Sequence, residues 1–265
     1  MEKKLFGKIR RTDEFQAIKD KILYRKAQVN LLIRPYPKEI GENPIFIFNH
    51  IPKCGGSSLN VVLRKWFHFL RDYPPHDLQY PDPLRLIEAQ EIYDASALRL
   101  DEVKPFQVVA GHYHNHSLSN RYLNKYGYKN LRLITFLRDP LARRVSLYKY
   151  AKKKGHKWVN DLSIDHFVLL ESNFMARTME CDEKNYKQVL DSYFFIGLTE
   201  DFQTSINKLG EKLNRPIPDE IPFVNRTDSF SQKEKLDEQT INTFKEKNKL
   251  DYLVYDYANK LLYEN

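Results

Sequence analysis

Four short apolar runs punctuate the chain: Ile45-Phe46-Ile47-Phe48, Phe106 to Ala110, Leu131 to Leu137, and Tyr193 to Gly197. Each is too short for a buried helix and too continuous for a half-solvated strand, so each reads as a strand covered on both faces. Helical spacing follows them. Leu59, Val62, Leu63, Trp66 and Phe67 recur at helical intervals after the first run. Val145, Leu147 and Tyr148 follow the third, where Pro140 suits a first helical residue and Asp139 its N-cap. Thr199 is placed to N-cap a helix after the fourth. The tail from Ser231 has helical composition, with Leu250, Leu253, Val254 and Tyr257 on one face. Strands alternating with helices predict an α/β fold: a single P-loop-like domain whose central parallel sheet is flanked by helices on both faces.

Residues 1–40 are basic and weakly amphipathic, with Phe15, Ile18, Ile22 and Leu23 at helix-like spacing before Pro35 and Pro37 interrupt. The expected organisation is a basic N-terminal extension, residues 1–43, packed on one domain, residues 44–265. Residues 72–84 hold Pro74, Pro75, Pro81 and Pro83 and read as loop. No internal repeat or low-complexity segment is present.

Composition narrows the field. A chain of 265 residues with 42% hydrophobic residues suits one folded core. A net charge of +8 implies an anionic partner, although Lys-rich stretches such as Lys152-Lys153-Lys154 read as solvated faces. Cys54 and Cys181 make no disulfide framework. Met1 to Arg11 is charged, and no run of about 18 apolar residues occurs, so a cytoplasmic chain without a transmembrane segment is expected. No zinc-finger or RNA-recognition signature accompanies the charge, which argues against nucleic acid as the partner.

The strongest local signal is a strand, then Pro52-Lys53-Cys54-Gly55-Gly56-Ser57-Ser58, then a helix. A helix start offers unpaired N–H groups and the positive end of the dipole, so it attracts phosphate. Gly55 and Gly56 let the backbone curl around an anion, Ser57 and Ser58 add hydroxyl donors, and Lys53 adds charge. The lysine precedes the glycines, unlike the nucleoside-triphosphate loop in which it follows them. Arg138-Asp139-Pro140-Leu141-Ala142-Arg143-Arg144-Val145-Ser146 follows the third strand. Arg138 and Ser146 are placed to reach one phosphate, and an arginine fork donates two parallel hydrogen bonds to such a group. Gly111-His112-Tyr113-His114-Asn115-His116 follows the second strand, where sheets of this kind place their ligand crevice. Histidine titrates near neutral pH and suits proton transfer. Alternatively, His112, His114 and His116 would project to one side of an extended strand and bind a metal. No nearby Cys or carboxylate completes such a set, so no metal is expected.

Together these segments resemble the carbohydrate-type sulfotransferases, the group that includes heparan sulfate 2-O-sulfotransferase and its bacterial relatives. The resemblance extends through Phe195-Ile196-Gly197-Leu198-Thr199-Glu200-Asp201-Phe202 and Asn248 to Tyr255, covering roughly residues 44–263. It implies 3′-phosphoadenosine-5′-phosphosulfate (PAPS) as donor and a carbohydrate hydroxyl as acceptor, a glycan or polysaccharide that the basic charge would allow to be anionic. Lys53, Cys54, Gly55, Gly56, Ser57 and Ser58 would then grip the 5′-phosphosulfate, and Arg138 and Ser146 the 3′-phosphate. Matching the family's Gly-His pair places the catalytic base on His112, with His114 second, and Lys53 beside the breaking bond. Asn173-Phe174-Met175-Ala176-Arg177 and Phe223-Val224-Asn225-Arg226-Thr227 resemble cleft-lining segments, with Arg226 a further donor contact. The nearest rival is a P-loop kinase-like phosphotransferase acting on a sugar or nucleoside, against which the displaced lysine speaks.

Overall fold

Five parallel strands form one sheet in the order β2-β3-β1-β4-β5. In the computed structural model, which describes residues 18, 21–74, 86–114, 116–218 and 236–264, they are β1 (Ile45–Asn49), β2 (His68–Arg71), β3 (Gln107–Gly111), β4 (Leu131–Leu137) and β5 (Phe195–Leu198). β1 is central, pairing Phe48 with Ala110 of β3 on one side and with Ile134 of β4 on the other. Phe46, Ile47, Val108, Val109, Leu133 and Ile134 have no solvent exposure, as expected of strands covered on both faces.

A helix over 21–33, α1, precedes β1. Its Ile18 and Ile22 side, which the spacing suggests would be inward, is exposed. Ala27 and Tyr24 face inward instead, the Tyr24 ring meeting His68 and Phe106 edge-on at 5.1 and 4.8 Å. Helix α2 (Gly56–Trp66) buries Leu59, Val62, Leu63 and Trp66, each worth roughly 1.5–3 kcal/mol. Phe67 is buried too, just past the helix end. Strand β2 lies in a stretch the hydrophobic pattern leaves unassigned. His68-Phe69-Leu70-Arg71 follows α2 directly, with polar ends, and becomes a strand only against its partner β3. The hydrophobic pattern likewise leaves helix α3 (Leu86–Ala95) unassigned.

Helix α4 (Pro140–Lys153) starts as expected, with Pro140 first and the Asp139 carboxylate accepting from the Ala142 N–H at 2.8 Å. Short helices α5 (Ile164–Leu169), α6 (Phe174–Thr178) and α7 (Tyr186–Asp191) follow. Thr199 does not cap α8 (Phe202–Lys212). Its hydroxyl donates to the Leu137 carbonyl at 2.9 Å, tying β5 to β4, and Asp201 holds the cap position. Helices α9 (Glu238–Lys247) and α10 (Lys249–Glu264) close the chain. The inward face of α10 is Asp251, Val254, Ala258 and Leu262, whereas Leu253 is exposed, so the apolar face is offset from the one expected. Among the described residues no helix is long and apolar enough to cross a membrane. The Phe223 to Thr227 segment, with Arg226, lies outside the described residues.

Candidate active site

The connections from β1 and β4 leave the sheet in opposite directions, β1 toward β2 and β4 toward β5. Adjacent strands that diverge this way open a crevice at their carboxyl ends. There the β1–α2 loop curls, with Lys53 at φ 70° and Gly55 at φ 75°. Left-handed positions so closely spaced bend the chain around its own N–H groups. Gly56 is required for a second reason: a Cβ there would overlap the His50 ring. Ser57 is exposed at the first turn of α2, while Ser58 is buried. Cys54 is a core residue beneath the loop, and burial pushes its thiol up to about 12, so it packs rather than reacts.

Lys53 reaches toward α4, its Nζ 4.2 Å from the centre of the Tyr150 ring. No carboxylate among the described residues pairs with it. Burial, then the charge of Arg138, brings it down to about 8. Arg138 stands at the end of β4 and touches the loop, its Nη1 donating to the Lys53 carbonyl at 3.4 Å. Its Nε is buried, 3.8 Å from the Glu200 carboxylate and without a hydrogen-bond partner among the described residues. Ser146 is buried two turns into α4. The two predicted phosphate segments therefore meet through Lys53 and Arg138, with Ser146 further along α4. Arg143 does not open to the crevice. It donates to Glu171 at 2.8 Å and stacks on Phe174 at 4.1 Å, while Arg144 donates to the same carboxylate.

On the other side of β1, the rings of His50 and His112 meet edge-on at 4.6 Å, and His114 lies 5.9 Å from His112. Nε2 of His112 and Nδ1 of His114 are buried without hydrogen-bond partners among the described residues. Burial, then His50 and His114, holds His112 well below the ordinary histidine value, so its ring is neutral. Burial brings His50 to about 3 and His114 to about 4. His116 departs from this group: it is exposed, in left-handed backbone, 3.6 Å from Glu180. The chain turns into helix there, so three histidines on one side of a strand do not occur, and no metal-ligand cluster is found among the described residues.

Phe174 packs 5.4 Å from His114 and is held by α10, where Asp251 accepts from the Met175 and Ala176 N–H groups at 3.1 and 2.8 Å. Arg177 is exposed, 3.8 Å from Glu171. Sequence reasoning missed His50, Tyr73 and Tyr150. His50 carried a legible signal, a histidine at a strand end next to an anion-binding loop; the tyrosines carried none.

A model of a family described as "Sulfotransferase family" matches residues 41–258. No curated protein matches the chain. Among solved structures it is similar to a sulfotransferase from Alicyclobacillus acidocaldarius, at 15% identity over 83% of this chain and 96% of that one, TM-score 0.45. It is also similar to mouse sulfotransferase SULT7A1 complexed with PAP, at 13% identity over 84% and 67%, TM-score 0.38.

Proposed function

The chain belongs to the sulfotransferase family, and from that premise we propose that it transfers the sulfuryl group of PAPS to a hydroxyl of a carbohydrate acceptor. The observation that carries this reading is the junction of the glycine loop with Arg138 at the β1–β4 crevice, with neutral His112 on the opposite side of β1. The residues present fit the donor. The loop curls through left-handed Lys53 and Gly55, Lys53 has no carboxylate partner among the described residues, and the buried Arg138 Nε, 3.8 Å from Glu200, has no hydrogen-bond partner among them.

The N–H groups at the start of α2, with Ser57 and Ser58, would hold the 5′-phosphosulfate, and Arg138 and Ser146 the 3′-phosphate. When bound, the donor supplies a sulfuryl group activated by its phosphosulfate anhydride. Lys53 places positive charge where the departing phosphate oxygen gains negative charge, which lowers the barrier only if the charge is already in position. His112 takes the proton of the acceptor hydroxyl as its oxygen bonds to sulfur. A positioned base of this kind contributes about 10²–10⁴-fold. His114 packs behind it.

Calorimetric titration with 3′-phosphoadenosine-5′-phosphate (PAP), with ATP and magnesium in parallel, tests the donor assignment. Micromolar PAP affinity, weak ATP affinity and loss of PAP binding in Arg138→Ala are expected. Tighter binding of ATP with magnesium would favour a kinase-like phosphotransferase.

A further inference from the structure

Helix α1 packs on the domain by one side and carries an apolar stripe on the other. Ala27 is buried and Tyr24 meets His68 and Phe106, as described above. At about 100° of rotation per residue, Ile22, Val29 and Ile33 fall within roughly 40° of one another and opposite Tyr24. Ile18 stands one turn before Ile22 on the same line, and Leu32 borders it. Ile22 is 61% exposed, Leu32 83% and Ile33 71%, although apolar residues of a surface helix ordinarily face the core. Five of the twelve exposed large apolar side chains among the described residues lie between Ile18 and Ile33, so they form a patch rather than a scatter.

Positive charge edges the stripe. Arg25 and Lys26 fall on either side of Ile22, roughly 40–60° away, and both are exposed, as is Lys21. From Lys21 to Lys38 the chain has five basic residues and no acidic one. Lys and Arg stems lie along apolar surface while their charged heads stay in a polar layer. An apolar stripe with cations on both margins matches a bilayer interface, where acyl chains lie beneath lipid phosphates. A second copy docked on the same stripe about a twofold axis would bring the basic margins of both copies together, like charge against like. The place of α1 in the fold also leaves the crevice free. Its contacts are the last turn of α2, where Asn30 Nδ2 donates to the Lys65 carbonyl at 3.3 Å, the first residue of β2, and Phe106 just before β3. All lie at the amino ends of the strands, opposite the crevice.

We propose that α1 docks the protein on an anionic membrane surface. The helix lies flat, with Ile22, Val29, Leu32 and Ile33 at the boundary of headgroups and acyl chains and Lys21, Arg25 and Lys26 against lipid phosphates. The crevice stays at the opposite end of the sheet, open to solvent. One short helix with a few cations gives reversible, salt-sensitive attachment, unlike the permanent insertion of a spanning helix. The docking needs neither the donor nor the acceptor reading, and it stands or falls apart from them.

The test is co-sedimentation of the full chain with vesicles of phosphatidylcholine alone and of phosphatidylcholine mixed with phosphatidylserine. The protein should bind the mixed vesicles at least about tenfold more tightly than the neutral ones and leave them as salt rises. Ile22→Gln combined with Val29→Gln and Ile33→Gln should weaken binding at least about tenfold. Lys21→Gln combined with Arg25→Gln and Lys26→Gln should do the same. Both sets replace exposed side chains, so the urea midpoint should stay at the wild-type value. Lys153→Gln with Lys154→Gln and Lys157→Gln removes the same charge from exposed lysines at the end of α4 and beyond it, and should keep vesicle binding. No sedimentation with the mixed vesicles, binding that survives the apolar triple variant, or an equal loss in the lysine control would overturn the proposal. So would a dimer in solution that the apolar variant dissociates and vesicles do not, which would give the stripe to a second copy.

Discussion

The two halves of the crevice are built in different ways. On the β1–β4 side, the residues proposed for the donor come from two contiguous segments, each a strand end running into a helix start, and backbone N–H groups would do much of the binding. On the β2–β3 side, a cavity lined by Asn60, Arg64, Arg71, Tyr73 and His112 is assembled from single side chains of α2, β2 and the turn after β3, held in place by the buried Asp72. A contiguous loop is a local device, while a cavity of scattered side chains exists only once the sheet order is fixed. The two halves should therefore fail separately.

The largest separation is expected at His112. His112→Ala should lower turnover about 10²–10⁴-fold and leave PAP affinity within about twofold of wild type, since Lys53 and Arg138 lie on the other side of β1. A parallel loss of PAP binding would mean that the halves are not independent.

Next is the anchor. Asp72→Ala leaves the buried Arg121 without its counter-charge and should cost about 3–5 kcal/mol of stability, read from urea unfolding. Where the variant is still folded, turnover should suffer and PAP affinity should persist. Stability close to wild type would show that Asp72 does not hold β2 in register.

The donor half has its own signature in pH. Lys53 loses its charge as pH rises through about 8, and an anionic donor binds the protonated form. PAP affinity should be nearly flat below pH 8 and fall by up to about tenfold per unit above it. Lys53→Arg, charged throughout, should flatten that limb. A fall that persists in Lys53→Arg would assign it to another group.

The smallest effect is expected at Tyr150, whose ring sits under the Lys53 ammonium. A cation–π contact of about 0.5–1 kcal/mol corresponds to roughly a two- to fivefold weaker PAP affinity in Tyr150→Leu.

Legibility in the sequence divides along the same line. Strands β1, β3, β4 and β5 and the cap of α4 were readable because continuous apolar runs and an Asp-Pro start are local signals. The meeting of the Lys53 loop with Arg138 was readable too, because both segments are strand ends that run into helices. Strand β2 was not, because four residues with polar ends become a strand only against β3. Asn60, Arg64, Arg71 and Tyr73 were illegible for the same reason: each is an ordinary surface residue until strand order brings α2 and β2 together. Thr199 shows a related limit. A threonine before a helix suits a cap, but the Leu137 carbonyl of the neighbouring strand competed for its hydroxyl and won.

The most direct test of the account is transfer itself. The protein would be incubated with PAPS carrying labelled sulfate and a mixture of neutral and acidic glycans, and both glycan-bound label and released PAP would be counted. The account predicts equal amounts of each, requiring Lys53, Arg138 and His112. No transfer to any glycan by protein shown to bind PAP, or full transfer in His112→Ala, would contradict it.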